Sequence, residues 1–189
     1  MFIPMLVGNF LTRAVKQYGK KIGIVDGEKR FTYAQFGERV SRLSNGLLNL
    51  GIKKGDRVAI IDVNSHRFLE EYYGIPQIGA ILLPINIRLS PEEVAYIINK
   101  SEAKCLMINE DLADIIKPVK NDLKTVEKFI LMRDGTTKAN LGIDGVEYEE
   151  LLRQSSPIIE ADFGLSETDG AAMFYTSGTT GHPKGLVWT

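Results

Sequence analysis

The stretch YTSGTTGHPKG, residues 175–185, contains the residues best suited to chemistry. It supplies hydroxyls, bare backbone and one cation rather than packing surface, from Thr176, Ser177, Gly178, Thr179, Thr180, Gly181 and Lys184. A loop of this kind after a strand directs N–H groups, hydroxyls and an ammonium toward one place, and phosphates bind well to such nests. Pro183 fixes φ just before Lys184, which stiffens the presentation of the lysine. The stretch therefore predicts binding of the phosphate tail of a nucleotide.

Other phosphate and catalytic motifs do not fit this stretch. A P-loop needs Gly-Lys-Ser/Thr in sequence, whereas here Pro183 precedes Lys184 and Gly185 follows it. The chain contains no GxGxxG dinucleotide fingerprint, and Ser177 has no GxSxG setting of the kind found in hydrolases. A flexible polar linker is the plain alternative, since such a composition is typical of linkers.

The composition places the chain among ordinary globular proteins. Of its 189 residues, 44% are hydrophobic and 25% charged, which is close to the average for soluble domains. The 23 basic and 24 acidic residues give a net charge of -1, which argues against nucleic acid as a partner and favours a small molecule. The apolar N-terminal stretch lacks a basic leader and is broken by Pro4 and Gly8, so neither a secretion signal nor a membrane span is predicted and a cytoplasmic location is expected.

The remaining reactive residue types have structural interpretations. Cys105 lies in the apolar run CLMI and is expected in the core, and a single cysteine fits a reducing compartment. With two histidines in the chain, no histidine-rich metal site is predicted, and His66 is interpreted as a surface or capping residue. The acidic pairs at 70–71 and 149–150 are interpreted as solvated helix faces.

Alternation of buried strands with capped helices sets the expected fold. Thr32 with Gln35, and Ser90 with Glu93, form capping-box patterns, and Gly51 suits a left-handed helix end. Apolar runs at 58–61, 79–86, 104–108, 128–132 and 171–175 predict strands, and Asp26-Gly27 predicts a hairpin turn before them. This rhythm predicts an α/β fold with a doubly wound, largely parallel sheet and helices on both faces.

Ten ordered positions of YTSGTTGHPKG resemble the signature loop of the adenylate-forming (ANL) superfamily, which includes acyl-CoA synthetases, coumarate ligases, luciferases and peptide-synthetase adenylation domains. His182 occupies the free position of that loop. The upstream segments FTYAQFGERVSRLSNGLLNLGIKKGDRVAI and GAILLPINIRLSPEEVAYIINKSEAK resemble the opening of the same family. The resemblance extends over most of residues 8–189 and is strongest to fatty-acyl and aryl CoA ligases.

The resemblance implies a two-step reaction. A carboxylate attacks the α-phosphate of MgATP to give acyl adenylate and pyrophosphate, and the thiol of coenzyme A then displaces AMP. The loop would close over the β- and γ-phosphates, with Thr176 and Lys184 as catalytic residues and the loop set named above as the nucleotide-binding residues. Donors fixed there would stabilise charge that moves onto the leaving pyrophosphate.

The resemblance also implies that further segments of the enzymes of this family lie downstream of Thr189. These are the Thr-Glu motif that helps hold magnesium, the ribose-binding aspartate, the hinge and the small C-terminal domain with its catalytic lysine. Residues 1–189 are therefore interpreted as the N-terminal portion of the AMP-binding domain of an acyl-CoA synthetase, inactive by itself. A complete short nucleotide-binding or interaction module is the alternative, and a kinase or ATPase with an unusual loop is a third hypothesis.

The acyl group is not specified by these residues. A fatty acid is expected from the wording of the segments, with an aryl acid such as a coumarate or benzoate as the alternative. Sheet faces that suit later segments predict self-association of the chain.

Overall fold

The computed structural model describes residues 5–133, 142–176 and 183–189. The helices within these ranges are α1 Val7–Tyr18, α2 Tyr33–Asn49, α3 His66–Gln77, α4 Pro91–Lys100 and α5 Tyr148–Gln154, with short 3-10 segments at Glu110–Ile115 and Lys117–Asp122. The strands are β1 Ile22–Asp26, β2 Lys29–Thr32, β3 Arg57–Ile61, β4 Ile81–Pro84, β5 Ala103–Asn109, β6 Lys128–Met132, β7 Val146–Glu147, β8 Ala172–Thr176 and β9 Lys184–Trp188. None of the helices in the described ranges is both long enough and apolar enough to cross a bilayer.

Seven of these strands form one sheet in the order β7-β6-β5-β3-β4-β8-β9. Neighbouring strands from β7 to β8 pair in parallel, and only the last pair, β8 with β9, is antiparallel. Strands β1 and β2 form a separate antiparallel hairpin. The prediction of a doubly wound, largely parallel sheet is confirmed.

The sheet is buried on both faces, which explains why its central strands are continuous apolar runs. In β3, Ala59 and Ile61 pack under α4 and the 3-10 segments, whereas Val58 and Ile60 pack under α2, α3 and α5. Cys105 belongs to the second of these clusters and is fully buried, as expected. Burial raises the pKa of its thiol to about 12, so the thiolate is not populated near neutral pH.

The predicted helix starts are present with their hydrogen bonds. Thr32 accepts from the backbone N–H of Gln35 at 3.2 Å, and the Gln35 side chain accepts in return from the Thr32 N–H at 2.8 Å. Ser90 and Glu93 form the same reciprocal pair at 3.3 and 2.9 Å. Gly51 ends α2 with φ +90°, the left-handed conformation expected from the sequence.

The β1–β2 turn differs by one residue from the prediction. Asp26 is the last residue of β1 and pairs with Lys29, so the two-residue loop is Gly27 and Glu28, with Gly27 at φ +56°. The Asp26 carboxylate instead accepts from the backbone N–H of His66 at 3.0 Å and lies 2.6 Å from its Nδ1. This contact holds the hairpin against the start of α3.

The interpretation of Glu70 and Glu71 as a solvated helix face was wrong, and His66, interpreted as a surface or capping residue, does not lie at the surface. Both glutamates are fully buried and His66 is 3% exposed, because α3 turns the face that carries them inward and leaves Leu69 37% exposed. Glu70 accepts from Arg39 Nε at 2.6 Å and from the Tyr148 hydroxyl at 2.6 Å. A buried carboxylate needs such partners, and they come from α2 and α5.

Glu149 and Glu150, the second acidic pair, remain partly exposed. Glu149 accepts from Arg39 at 2.7 and 2.8 Å, and Glu150 forms an ion pair with Arg153. Arg39 therefore bridges two carboxylates, Glu70 and Glu149, and links α2 to α3 and α5.

Glu71 differs from its neighbour Glu70. Neither of its carboxyl oxygens has a hydrogen-bond partner among the described residues. Burial raises its pKa well above 4.5; the nearby Asp62 and Glu70 raise it further, and Arg67 opposes them. From pH 4.5 upward to its raised folded pKa, the folded chain binds one more proton than the unfolded chain, so this residue lowers the free energy of unfolding as pH rises.

We expect Glu71→Met to increase the free energy of unfolding by about 1 to 3 kcal/mol near pH 8, because it removes two unsatisfied buried oxygens at similar volume. The gain should shrink as pH falls through about 4.5, because below that value the glutamate is protonated in both states. Urea denaturation across this pH range measures both effects. Glu70→Met is the matched control and should destabilise by about 3 kcal/mol, since it removes one of the two carboxylates that pair with Arg39 and leaves the buried Tyr148 hydroxyl without its acceptor; equal effects of the two changes would contradict the different environments assigned to the two glutamates.

Strand β9 forms an edge of the sheet and exposes apolar side chains, with Leu186 58% and Trp188 60% exposed. Such edges template pairing with other strands. We expect the 189-residue chain to self-associate in a concentration-dependent way, and Leu186→Lys to reduce this by placing a charge on the edge. Light scattering on both proteins measures it, and a monomer at high concentration in the unchanged chain would contradict the expectation.

Candidate functional site

The predicted phosphate-binding stretch, residues 175–185, includes the end of β8 and the start of β9, which pair as a hairpin. Thr176 is the last residue of β8, Lys184 is the first of β9, and the two are directly paired across the hairpin. Both are exposed. The structure thus brings together the two predicted catalytic residues, one at each end of the loop.

The other predicted binding residues, Ser177, Gly178, Thr179, Thr180 and Gly181, lie outside the described residues, as does His182. Their role in binding stays a prediction. Since they connect Thr176 to Pro183 in the chain, the hairpin fixes where both ends of this segment begin.

The hairpin places Thr176 and Lys184 at the carboxyl edge of the parallel strands. Strand β8 joins the sheet where Ala172 pairs with Leu82 of β4, and it then runs on in the same direction to Thr176. A cleft of about 280 Å³ lies beside these strand ends, and Asn86, Phe174 and Tyr175 contribute to its walls. In doubly wound sheets, ligands bind outside the carboxyl ends of the strands, so Thr176 and Lys184 lie at the edge that this fold uses for binding.

A larger open groove, of about 870 Å³, runs between the hairpin and the C-terminal end of α4. Its cations are Arg57, Lys100 and Lys184. Arg57 donates to the backbone carbonyls of Ser101 at 2.6 Å and of Glu102 at 3.0 Å, so its guanidinium anchors the turn before β5. Lys100 and Lys184 are therefore the groups that give this groove its positive charge toward solvent.

Strand β9 was not predicted from the sequence. Lys184 was interpreted as part of a stiffened turn, but it begins a strand that includes Leu186, Val187 and Trp188. The signal was present, because a short run of β-branched and aromatic residues follows Gly185. The glycine- and hydroxyl-rich loop before it is typical of a turn and gives no sign of the strand pairing.

A second polar group at the carboxyl edge was also not predicted. Asp62, just after β3, accepts from the Asn109 side chain at 2.7 Å, from the Ser65 hydroxyl at 2.8 Å and from the backbone N–H of Val63 at 2.8 Å. Both carboxylate oxygens are thus already bonded within the protein. This cluster fastens the ends of β3 and β5 to the start of α3, and its role is structural.

The described residues contain no group of three or more histidine, cysteine, aspartate or glutamate side chains that could hold a metal ion. This statement covers residues 5–133, 142–176 and 183–189 only.

Comparison with known proteins decides the family. A model described as AMP-binding enzyme matches residues 11–189, which is nearly the whole chain. The chain belongs to this family. The resemblance stated from the loop and the upstream segments is therefore confirmed, and the β8–β9 hairpin is the part of this family member that carries the signature loop.

Relatives of this AMP-binding family member include two curated CoA ligases and a solved structure. A long-chain-fatty-acid–CoA ligase of Thermus thermophilus is 38% identical over 185 residues, which cover 96% of this chain and 32% of the relative. A 4-hydroxybutyrate–CoA ligase of Metallosphaera sedula is 34% identical, with 94% and 33% covered. A fatty acyl CoA synthetase structure from Mycobacterium tuberculosis superposes with a TM-score of 0.82 at 30% identity, covering 97% of this chain and 34% of that one. The chain thus spans about a third of the length of the relatives it matches.

Because Lys184 is exposed, a role of this residue in binding can be distinguished from a role in stability. We expect Lys184→Met to change the free energy of unfolding by less than about 0.5 kcal/mol, since exposed side chains contribute little to stability. Urea denaturation of both proteins measures the difference. A loss several times larger would mean that the lysine is part of the hairpin's packing, which would weaken the case for a dedicated binding residue.

Proposed function

We propose that this chain is the N-terminal portion of the AMP-binding domain of an AMP-forming acid–CoA ligase. The observation that supports the proposal best is the pairing of Thr176 with Lys184. This pairing places a hydroxyl and an ammonium at the two ends of the family-specific loop, at the carboxyl edge of a doubly wound sheet. The names of the CoA-ligase relatives, of which the chain covers about a third, support the same activity for a longer parent protein.

In the proposed reaction, a carboxylate oxygen of the acid attacks the α-phosphorus of ATP. The new bond joins that oxygen to phosphorus, the bond to the bridging oxygen of pyrophosphate breaks, and pyrophosphate leaves with the electron pair. The sulfur of coenzyme A then attacks the acyl carbon of the adenylate, its proton is lost, and AMP leaves. The two steps together consume ATP, the acid and coenzyme A and release pyrophosphate, AMP and the acyl-CoA.

This chain would contribute to the first of these steps. The Thr176 hydroxyl can donate a hydrogen bond to a phosphate oxygen, and the Lys184 ammonium can neutralise charge on the β- and γ-phosphates as pyrophosphate departs. Groups already held in place for the leaving charge stabilise the transition state more than the substrate. Magnesium is proposed to arrive with ATP.

A fatty acid is the proposed acyl substrate, in line with the name of the Thermus thermophilus relative. The name of the 4-hydroxybutyrate–CoA ligase relative makes a shorter acid a second candidate substrate, and an aryl acid is the remaining alternative. A cytoplasmic location is proposed from the single buried cysteine, which fits a reducing compartment.

The activity is tested by carboxylate-dependent exchange of radiolabelled pyrophosphate into ATP. We expect exchange with the longer parent protein and none with the 189-residue chain, assayed with a panel of fatty, short hydroxy and aryl acids. Exchange catalysed by the 189 residues themselves would refute the claim that further segments are needed. Absence of exchange in the parent with every acid would refute the ligase activity, and MgATP binding without exchange would then favour the nucleotide-binding module.

In the parent, we expect Lys184→Met to lower the exchange rate about 100-fold or more, as removal of a single charge-stabilising donor does in other enzymes. Thr176→Val, which keeps the shape and removes the hydroxyl, should also lower it. Lys53→Met removes an exposed lysine distant from the loop in sequence and serves as the control for loss of charge. Equal rates for Lys184→Met and Lys53→Met would overturn the role given to Lys184.

A further inference from the structure

The ring of Tyr175 lies close to Gly185 in the β8–β9 hairpin. Tyr175 and Gly185 face each other directly across the two strands. A methyl group on Gly185 would lie 3.0 Å from the ring carbons Cε2 and Cζ of Tyr175 and 3.3 Å from its hydroxyl oxygen. The ring therefore covers the backbone of Gly185, in space that a side chain at this position would need.

The side chain of Tyr175 also contacts the core. Tyr175 packs against the core cluster under α4 and lines both the cleft at the strand ends and the larger groove. Burial raises the pKa of its phenol, and the neighbouring Tyr96 adds to this effect. The side chain of Tyr175 thus contacts the core and also lies against Gly185, which restricts where β9 can lie relative to β8.

A cross-strand contact of this kind is needed to specify the register of the hairpin. Strand β9 is exposed along its whole length, and β8 joins the rest of the sheet through the single pair Leu82 with Ala172. Register is weakly specified in strands that are exposed or rich in glycine. Cross-strand side-chain pairs are then the main source of specificity.

Other registers would lose the Tyr175–Gly185 contact. A slip of two residues would place Pro183 or Val187 opposite Tyr175, where a ring or a branched side chain would occupy the space that Gly185 leaves open. A slip of one residue would turn the side chains of β9 to the opposite face of the sheet. In each case Lys184 would no longer lie opposite Thr176.

A second aromatic contact agrees with the same register from the opposite face. Phe174 and Trp188 meet edge to face with ring centroids 5.5 Å apart. They lie diagonally across the hairpin, since Phe174 pairs with Leu186 and Trp188 with Ala172. This contact is exposed, so it supports the pairing less strongly than a ring that contacts the core and lies against a glycine.

We propose that Tyr175 and Gly185 act as a register lock, in which the ring seated on the glycine holds Thr176 opposite Lys184 and so positions both ends of the phosphate-binding loop. Tyr175 and Gly185 are positioning residues, since they act through Thr176 and Lys184. The consequence for nucleotide binding rests on the proposed function, whereas the lock itself concerns the fold of the hairpin.

The lock is tested in the isotope-labelled 189-residue chain by nuclear Overhauser contacts between the strands and by titration with MgATP. Tyr175→Leu removes the ring, and Gly185→Val fills the space beneath it. Tyr175→Phe keeps the ring and removes only the hydroxyl. Leu186→Thr is the matched control, because it alters the next residue of β9 on the opposite face and keeps a good strand former.

We expect Tyr175→Leu and Gly185→Val to lose the cross-strand contacts between residues 176 and 184 while the signals of β3, β4 and β5 are unchanged. Tyr175→Phe and Leu186→Thr should keep them. If the paired register falls to about a tenth of the population, the Kd for MgATP should rise about tenfold, because only that fraction is competent to bind.

The two proposals fail in different ways. Cross-strand contacts that persist in both Tyr175→Leu and Gly185→Val would overturn the lock, whatever the nucleotide does. Loss of these contacts with an unchanged Kd for MgATP would overturn the positioning role. Failure of the unchanged chain to bind MgATP would count against nucleotide binding by these residues alone, and the contacts would still decide the lock.

Discussion

Parallel strands cannot be joined by tight turns, and this constraint organises the whole molecule. Each step from β3 to β4, from β4 through α4 to β5 and on to β6 needs a crossover that covers one face of the sheet. Helices and 3-10 segments therefore bury both faces, and the strands become continuous apolar runs. Because all of these strands point the same way, their carboxyl ends meet at one edge, where polar residues can gather without interrupting the core.

Burial on both faces raises the cost of any charge carried by a covering helix. Helix α3 turns Glu70 and Glu71 inward, and the structure treats them differently. Glu70 is held by Arg39 and Tyr148, which ties three helices together. Glu71 has no hydrogen-bond partner among the described residues, and its pKa is raised by burial, so the neutral acid is the form compatible with the core.

The antiparallel strand β9 departs from the parallel pattern at the point where the chemistry is proposed. A hairpin can bring two residues close in sequence face to face, which a parallel crossover cannot do. Thr176 and Lys184 meet in this way, and the ring of Tyr175 over Gly185 specifies which residues are opposite. The site thus combines an edge set by parallel topology with the antiparallel pairing of β8 and β9.

Features that depend on short-range patterns could be predicted from the amino-acid sequence. Capping boxes at Thr32 and Ser90, the left-handed glycine after α2 and the apolar strand runs are local, so they could be predicted together with the sheet class that follows from their order. The signature loop likewise identified the family, because the types and order of adjacent residues carry that information.

Features that depend on which distant elements pack together became visible in the three-dimensional fold. The inward face of α3 could not be predicted, because two adjacent glutamates are typical of a solvated helix face. Arg39 and Tyr148, the partners of Glu70, come from other helices. The contact of Asp26 with His66 spans 40 residues, and the pairing of Thr176 with Lys184 required β9, which the sequence pattern had not revealed. Local propensity fixes where elements begin and end, but partners for buried charges and the register of an edge strand are chosen by three-dimensional packing.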